Sequence, residues 1–329
     1  MKDINTILLI GYGSIGKRHL ANLRALHPEA KIVVMRSRPG EHIDGCELIF
    51  DIESAIKLRP DVAFLCNPSS FHIGMASVLH DAGIHLFIEK PLSNSMDGVE
   101  SFMSRVESSS TKVMVGYNLR YEPVVSKLKA LVSDTYLGKV LYVSASVGHY
   151  LPDWRPGTDY RQGVSARSEL GGGALLELSH EIDYLQWIFG SAHKAYGRVS
   201  KVSGLEINVD DLVLANLLLR SDVGDVQCTL QLDFLQRKPN RVCRVVCERG
   251  TLVCDLVHRK IEIHDADGIK LIPVEEVDRN FTYQKEINDF FSCIEKDTSS
   301  PISIKEGVNV LKVVDGLRLS SNLGKEVEI

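Results

Sequence analysis

The sequence predicts an α/β protein of two domains: a doubly wound parallel sheet over residues 1–118 and an α+β domain with a mostly antiparallel sheet over residues 119–329. Three observations carry this reading. The first third alternates short apolar runs with helical patterns, the signature of βαβ units. A glycine-rich turn, Gly11-Tyr12-Gly13-Ser14-Ile15-Gly16, stands where the first apolar run ends and the first helical pattern begins. From Ala192 to Ile263 the chain reads instead as successive strands separated by hairpin residues. A length of 329 residues agrees, since a domain takes roughly 150.

Taken in order, Thr6–Ile10 is a strand and Ile15–Leu26 a helix with Ile15, Leu20, Leu23 and Leu26 on its apolar face. Lys31–Met35 and Val62–Cys66 are strands, the second closed by Asn67-Pro68-Ser69-Ser70. His72–Ala82 is helical and stops at Gly83; His85–Ile88, Met96–Ser108 and Lys112–Gly116 follow as strand, helix and strand. Strands this uniformly apolar fit a sheet covered on both faces. After residue 120 come a helix, Val124–Val132, a strand, Val140–Gly148, and a loop rich in Pro, Gly and Arg from His149 to Arg167. Ala174–Phe189 reads as one continuous helix. Hairpins are expected at Asp222–Asp225, Arg249-Gly250 and Asp265–Gly268. Cys228, Leu230, Leu232 and Phe234 alternate with Gln227, Thr229, Gln231 and Asp233, which makes that strand half-buried. Helices near Tyr283–Ile294 and Glu306–Leu319 end the chain.

Lys and Arg number 38 against 43 Asp and Glu, a net charge of −5 that gives no electrostatic footprint for a nucleic-acid partner. Apolar runs such as Val62–Leu65 and Leu217–Leu219 fall far short of the roughly 20 residues that span a bilayer. The opening Met-Lys-Asp-Ile-Asn shows no signal-peptide pattern, and seven cysteines without regular spacing read as reduced thiols, so a cytoplasmic location is expected. Cys243 and Cys247 share a strand face, but no set of residues with zinc-ligand spacing surrounds them. They read as buried structural thiols, and no metal site is expected.

The glycine turn supplies a tight bend, close approach of backbone to a pyrophosphate, and close helix–strand packing. The helix behind it offers unpaired N–H groups and a positive dipole end to phosphate. A dinucleotide is the expected ligand, held by Gly11, Tyr12, Gly13, Ser14, Ile15 and Gly16. The second strand ends not in the acidic residue that bonds the ribose of NAD but in Arg36, Ser37 and Arg38. Guanidinium forks suit a 2′-phosphate, so NADP(H) is favoured over NAD(H). Asn118 and Arg120 follow the last strand of the first domain, where loops face the ligand crevice, and are candidate substrate or cofactor contacts.

Three further segments belong together: Glu89-Lys90-Pro91 after a strand, Trp154-Arg155 in the long loop, and Gly171-Gly172-Gly173 leading into Glu177, His180 and Asp183. With the nucleotide turn and the terminal Tyr283…Glu286…Phe290, the chain resembles the Gfo/Idh/MocA oxidoreductases over essentially its whole length. The resemblance implies a Rossmann domain followed by a domain with a large open sheet. It implies that Lys90 contacts the substrate hydroxyl or carbonyl beside the nicotinamide and that His180 is the second acid/base residue. It also groups Cys66, Asn67, Pro68, His72, Glu89, Lys90, Asn118, Trp154 and Arg155 with the cofactor. One departure stands out. The family's aspartate four residues before the histidine is replaced by Glu177, only three before His180. Three apart on a helix still share a face, so Glu177 is expected beside His180, to orient it, bind a sugar hydroxyl or cap the helix entry. The loop Tyr150–Arg161 is similar to a branch of the family found in bacterial surface-carbohydrate gene clusters.

Hydride transfer from an alcohol carbon must be matched by loss of the hydroxyl proton to a base within hydrogen-bond reach. His180, with an unperturbed pKa near 6.5, is favoured as proton carrier, with Lys90 polarising the oxygen; the reverse assignment stays open. Arg120, Tyr150, Asp153, Asp159, Arg161 and Glu177 form a polar set suited, with Lys90, Asn118 and His180, to a polyhydroxylated substrate, and the arginines suit an anionic or nucleotide-linked one. The leading expectation is an NAD(P)-dependent oxidoreductase on a sugar, cyclitol or sugar-derived substrate, working as a homodimer or homotetramer. An NAD-retaining enzyme that cleaves glycosides by transient oxidation and elimination is a second reading, and a non-catalytic nucleotide-binding regulator a third.

Overall fold

A computed structural model describes residues 4–40, 42–221 and 224–329. The chain falls into two units: the stretch up to Asn118 with Arg279–Val308, and Leu119–Asp278 with Asn309–Ile329. Residues 279–308, expected in the second domain, therefore belong with the first.

The first unit holds six parallel strands: β1 (Thr6–Ile10), β2 (Lys31–Met35), β3 (Glu47–Ile49), β4 (Val62–Leu65), β5 (His85–Glu89) and β6 (Val113–Gly116). Their order is β3-β2-β1-β4-β5-β6. The winding reverses between β1 and β4, so the loops leaving their carboxyl ends, at Gly11 and at Cys66, part to opposite sides and open a crevice. The connecting helices are α1 (Ser14–Leu26), α2 (Ile52–Leu58), α3 (His72–Asp81) and α4 (Val99–Glu107). β3 and α2 carry no signal in the sequence reading, because three and seven residues are too few to show a period. Asp51 starts α2 by accepting a hydrogen bond from the Ser54 N–H at 2.7 Å. Helix α8 (Phe281–Glu295) buries Ile287, Phe290, Phe291 and Ile294. Phe290 meets Phe64 on β4 and Phe87 on β5 with ring centroids 6.0 and 5.7 Å apart, which is why this late segment returns to the first unit.

The second unit is built on nine strands: β7 (Val140–Gly148), β8 (Ser191–Ser200), β9 (Leu212–Ser221), β10 (Gly224–Asp233), β11 (Asn240–Cys247), β12 (Gly250–Asp255), β13 (Lys260–Asp265), β14 (Gly268–Ile272) and β15 (Val327–Glu328). Their order is β14-β13-β12-β11-β7-β10-β9-β8-β15, antiparallel except for the pair β7 and β10. The alternation read along β10 holds for Cys228, Leu230 and Leu232, which are buried, and for Gln227 and Thr229, which are exposed. Asp233 breaks it. The side chain is buried and accepts hydrogen bonds from the backbone N–H groups of Leu235 and Gln236, closing the turn that follows. Hairpins join Cys247 to Gly250 and Asp265 to Gly268. Of the expected turn at Asp222–Asp225, Asp222 and Val223 lie outside the described residues, while Ser221 pairs with Gly224.

Helices α5 (Pro123–Ser133) and α7 (His180–Phe189) pack on this sheet, and α9 (Ile304–Leu323) follows β14 and α8 in the chain. The expected helix Ala174–Phe189 is in fact two, α6 (Ala174–Glu177) and α7, broken at Leu178-Ser179. There the ladder tightens to three-residue bonds, Ser179 N to Leu176 O and Glu181 N to Leu178 O, both 3.3 Å. Two arginines hold α7 down. Arg241, at the start of β11, engages Glu181 through Nε and Nη2 at 2.7 and 2.8 Å, and Arg120 engages Asp183 at 2.9 and 2.6 Å. Both carboxylates are buried. Among the described residues no helix is long and apolar enough to cross a membrane.

Removing one partner of a buried ion pair strands the other charge, at a cost of about 3–5 kcal/mol. Arg241→Met is expected to destabilise the protein by that order in urea unfolding. Arg241→Met with Glu181→Met is expected to regain most of it.

Candidate active site

The first unit gathers its functional side chains at the carboxyl ends of β1, β4 and β5. Gly11 has φ +92°, and a Cβ there would stand 2.8 Å from the Asn67 nitrogen. A Cβ at Gly16 would stand 2.1 Å from the Gly11 oxygen. Only glycine lets the turn, the β4 loop and α1 approach so closely. Gly13 is the opposite case, for nothing lies within 4 Å of where its Cβ would be. Helix α1 begins there with no side-chain cap and no acidic residue in its first turn. An uncapped helix start leaves N–H groups and a positive dipole end of the kind a pyrophosphate takes up. Lys17 and Arg36 both lie over the ring of Tyr12, 5.4 and 5.8 Å from its centroid, while Ser37 and Arg38 are exposed beside them. The residues present fit a dinucleotide.

Lys90 follows β5 at the cis Lys90–Pro91 bond and is half-buried. Its backbone N–H donates to Glu89 Oε2 at 3.1 Å, and Glu89 Oε1 meets His19 Nε2 of α1 at 2.6 Å. Glu89, grouped with the cofactor contacts on resemblance, is thus 7 % exposed and turned to its own unit. His72 is likewise an internal tie. Its Nδ1 faces the Pro91 carbonyl at 3.0 Å and its Nε2 the Asn67 carbonyl at 2.8 Å, binding the β4 loop to the β5 loop. Burial lowers its pKa, while those carbonyls and Glu89 pull the other way. Asn118, expected at a ligand, is buried and donates from Nδ2 to Thr282 Oγ1 of α8 at 2.9 Å. Cys66 is buried and Asn67 and Pro68 half-buried at the end of β4, and burial pushes the Cys66 thiol well up, keeping it neutral.

The second unit brings its candidates to one end of its sheet, where β7 and β10 end and β11 begins. The loop after β7 is pinned there, with Tyr150 N donating to Gln236 O at 2.7 Å and Leu151 N to Phe234 O at 3.1 Å. Trp154 donates from its indole to the His149 carbonyl at 3.0 Å and meets the Phe234 ring edge-on at 5.1 Å, while Arg155 beside it is exposed. His180 opens α7 and is half-buried. Glu177, half-buried, closes α6, and the turn Leu178-Ser179 separates it from His180 at the start of α7. Arg120, expected to meet an anionic substrate, is 6 % exposed and closes its fork on Asp183. Asp159 and Arg161 pair with each other at 2.8 Å, and Arg161 also reaches Glu206 at 3.2 Å; both stay exposed. Asp153 is exposed.

Two features escape the sequence reading. Asp210 clamps the glycine run from another loop: its carbonyl accepts from Ala174 N at 3.0 Å and its Oδ2 from Leu175 N at 2.8 Å. A Cβ at Gly173 would stand 2.4 Å from its Oδ1, so the third glycine is a packing requirement for starting α6. Burial holds the Asp210 carboxyl above its ordinary range. Arg237, exposed in the turn after β10, lays its guanidinium 3.6 Å from the Tyr150 ring centroid. Neither has a local motif, since each is defined by a loop distant in sequence.

Comparison with known proteins agrees with this architecture. Residues 5–117 match the NAD-binding Rossmann-fold model of the Gfo/Idh/MocA oxidoreductase family, and residues 125–253 match the Gfo/Idh/MocA C-terminal domain. The chain is 28% identical over 191 residues to the uncharacterized oxidoreductase YrbE of Bacillus subtilis, covering 56% of this chain and 53%, about half, of that protein. It is 21% identical over 280 residues to D-xylose 1-dehydrogenase (NADP(+)) 2 of Haloferax volcanii, covering 82% of this chain and 80% of that one. A solved structure of levoglucosan dehydrogenase in complex with NADH superposes with a TM-score of 0.86 at 19% identity, covering 99% of each chain, a likeness of fold. Both units thus find their counterparts in one group, and the chain belongs to the Gfo/Idh/MocA oxidoreductase family.

Proposed function

We propose that the protein is an NAD(P)-dependent dehydrogenase that moves a hydride between the nicotinamide and a hydroxyl-bearing carbon of a sugar, cyclitol or sugar-derived substrate. The observation that carries the reading is the uncapped start of α1 at Gly13, open to a pyrophosphate, in a unit whose β5 loop presents Lys90. Bound cofactor supplies the hydride acceptor. The chain's own groups then manage the proton and the charge. Lys90 stabilises negative charge developing on the substrate oxygen. His180, on a helix start fixed by two buried arginine pairs, carries the hydroxyl proton. The relatives named D-xylose dehydrogenase and inositol 2-dehydrogenase support a polyhydroxylated substrate.

Arg36, Arg38 and Lys17 around Tyr12 support NADP(H) over NAD(H). Arg237 on Tyr150, with the exposed Arg155, supports an acidic group on the substrate, a role withdrawn from Arg120, closed on Asp183, and from Arg161, paired with Asp159 and Glu206. The exposed face of the nine-stranded sheet, with Tyr142, Tyr196 and Leu214 outward and a groove of about 610 Å³ lined by Ser144, Asn216 and Arg244, fits a second copy of the chain, and we take a homo-oligomer as the working form.

Lys90→Met and His180→Asn are each expected to lower kcat about 10²–10⁴-fold on any sugar, polyol or sugar acid that the enzyme oxidises. Cofactor affinity, read by fluorescence titration, is expected to hold. A charge-assisted hydrogen bond contributes about 1.5–3 kcal/mol, so Arg36→Ala with Arg38→Ala is expected to weaken NADPH about tenfold or more and to leave NADH nearly unchanged. Denaturing the purified protein and identifying the released nucleotide tests the same point. One equivalent of NAD that does not exchange would instead favour transient oxidation with elimination at a glycoside. Arg237→Ala is expected to raise KM for acidic substrates and not for neutral ones.

A further inference from the structure

Glu286 of α8 sits in the first unit with no solvent exposure, and neither of its carboxyl oxygens has a hydrogen-bond partner. One oxygen from it, one from Glu89 and one nitrogen of His19 lie within 4.8 Å of one another. The wall around them is apolar and aromatic: the His19 ring lies 5.5, 5.3 and 6.1 Å from Phe64, Phe87 and Tyr283. Two ionised carboxylates so close in such a setting would be both desolvated and mutually repelled.

One positive charge relieves this, and the geometry decides whether it is a proton or a metal ion. His19 Nε2 and Glu89 Oε1 are 2.6 Å apart, a hydrogen-bond distance with a proton on the line between them. Two ligands of one tetrahedral zinc, each bonded at about 2.0–2.2 Å, stand about 3.3 Å apart. The triad has the spacing of a proton relay and not of a metal cage.

We propose that Glu286 holds a proton as a neutral acid beside the His19–Glu89 pair, and that this leaves Glu89 the single carboxylate that fixes the backbone N–H of Lys90. Glu286 is then a positioning residue for Lys90, a role that rests on the catalytic reading of that lysine. Burial first, and the Glu89 charge second, push the Glu286 carboxyl well above its ordinary range. Among the described residues no cation offsets this shift. Burial raises both Cys66, just after β4, and Tyr283 of α8, which keeps them neutral. Arg18 of α1 lies over the Tyr283 ring, 4.5 Å from its centroid. His72 of α3 is tied to the two backbone carbonyls already described.

The sign of the pH dependence follows. A carboxyl raised in the folded state binds a proton that the unfolded chain has already lost above about pH 4.5, so its stabilisation is full below that pH and is lost as pH rises through the folded value. The wild type is expected to lose thermal stability as pH rises above about 4.5, and Glu286→Gln, which keeps the shape but cannot ionise, to lose much less. Infrared difference spectra of the purified full chain provide the direct measurement. A protonated carboxylic-acid carbonyl band is expected near neutral pH in the wild type and in Lys90→Met, and is expected to be absent in Glu286→Gln. The kcat of the wild type is expected to fall as pH rises through the folded value of the Glu286 carboxyl, where a second charge would crowd Glu89, and that of Glu286→Gln to fall less. Should Glu286→Gln not fold, Glu89→Gln serves, because removing the neighbouring charge moves the loss of the acid band to lower pH. Absence of the band, or one equivalent of divalent metal that Glu286→Gln loses, overturns the proposal. The band and the stability curve need no substrate, so they stand even if the dehydrogenase reading fails.

Discussion

The 2.6 Å contact between Glu89 and His19 is the constraint about which the cofactor end of the first unit is arranged. It joins the last residue of β5 to α1, the helix that follows the glycine turn Gly11–Gly16. A buried carboxylate is tolerated only when its oxygens are answered, and here one answers His19 and the other the Lys90 N–H. That second bond hands the position of α1 on to Lys90. His72 extends the tie to the β4 loop through the carbonyls of Asn67 and Pro91. Three segments are thereby tied to one another at this edge of the unit.

The second unit solves the same problem with arginine forks. Glu181 and Asp183 lie in the first turn of α7, where the helix dipole already favours negative charge. Arg241 and Arg120 meet them bidentately from β11 and from the segment before α5. The planar fork fixes direction as well as distance, which a lysine would not do. His180, one residue before Glu181, takes its place from these pairs. On the other side of the break at Leu178-Ser179, α6 is held by Asp210.

Side chains that look alike in the sequence thus divide by burial. Arg120 and Arg237 are both arginines in polar loops, yet one is closed on Asp183 and the other lies exposed on Tyr150. His72 and His180 both open helices, yet the first is spent on two backbone carbonyls. A charged residue in a loop gives no local sign of whether it positions another residue or is left exposed.

The sequence by itself determined the parallel order of short apolar strands, the glycine turn and the helix behind it, the basic end of β2, and the hairpins of the second sheet. Each is written in neighbouring residues, as a period, a turn residue or a missing Cβ, and such preferences act over a few residues. Tertiary structure alone decided that residues 279–308 return to the first unit, that α6 and α7 are separate helices, and that Glu89, Asn118, His72 and Arg120 are internal partners. These outcomes depend on groups brought together from far along the chain: Asn118 with Thr282, Arg241 with Glu181, Glu89 with Glu286. Which buried charge meets which partner is a question of packing, and no window of sequence contains both halves of the answer.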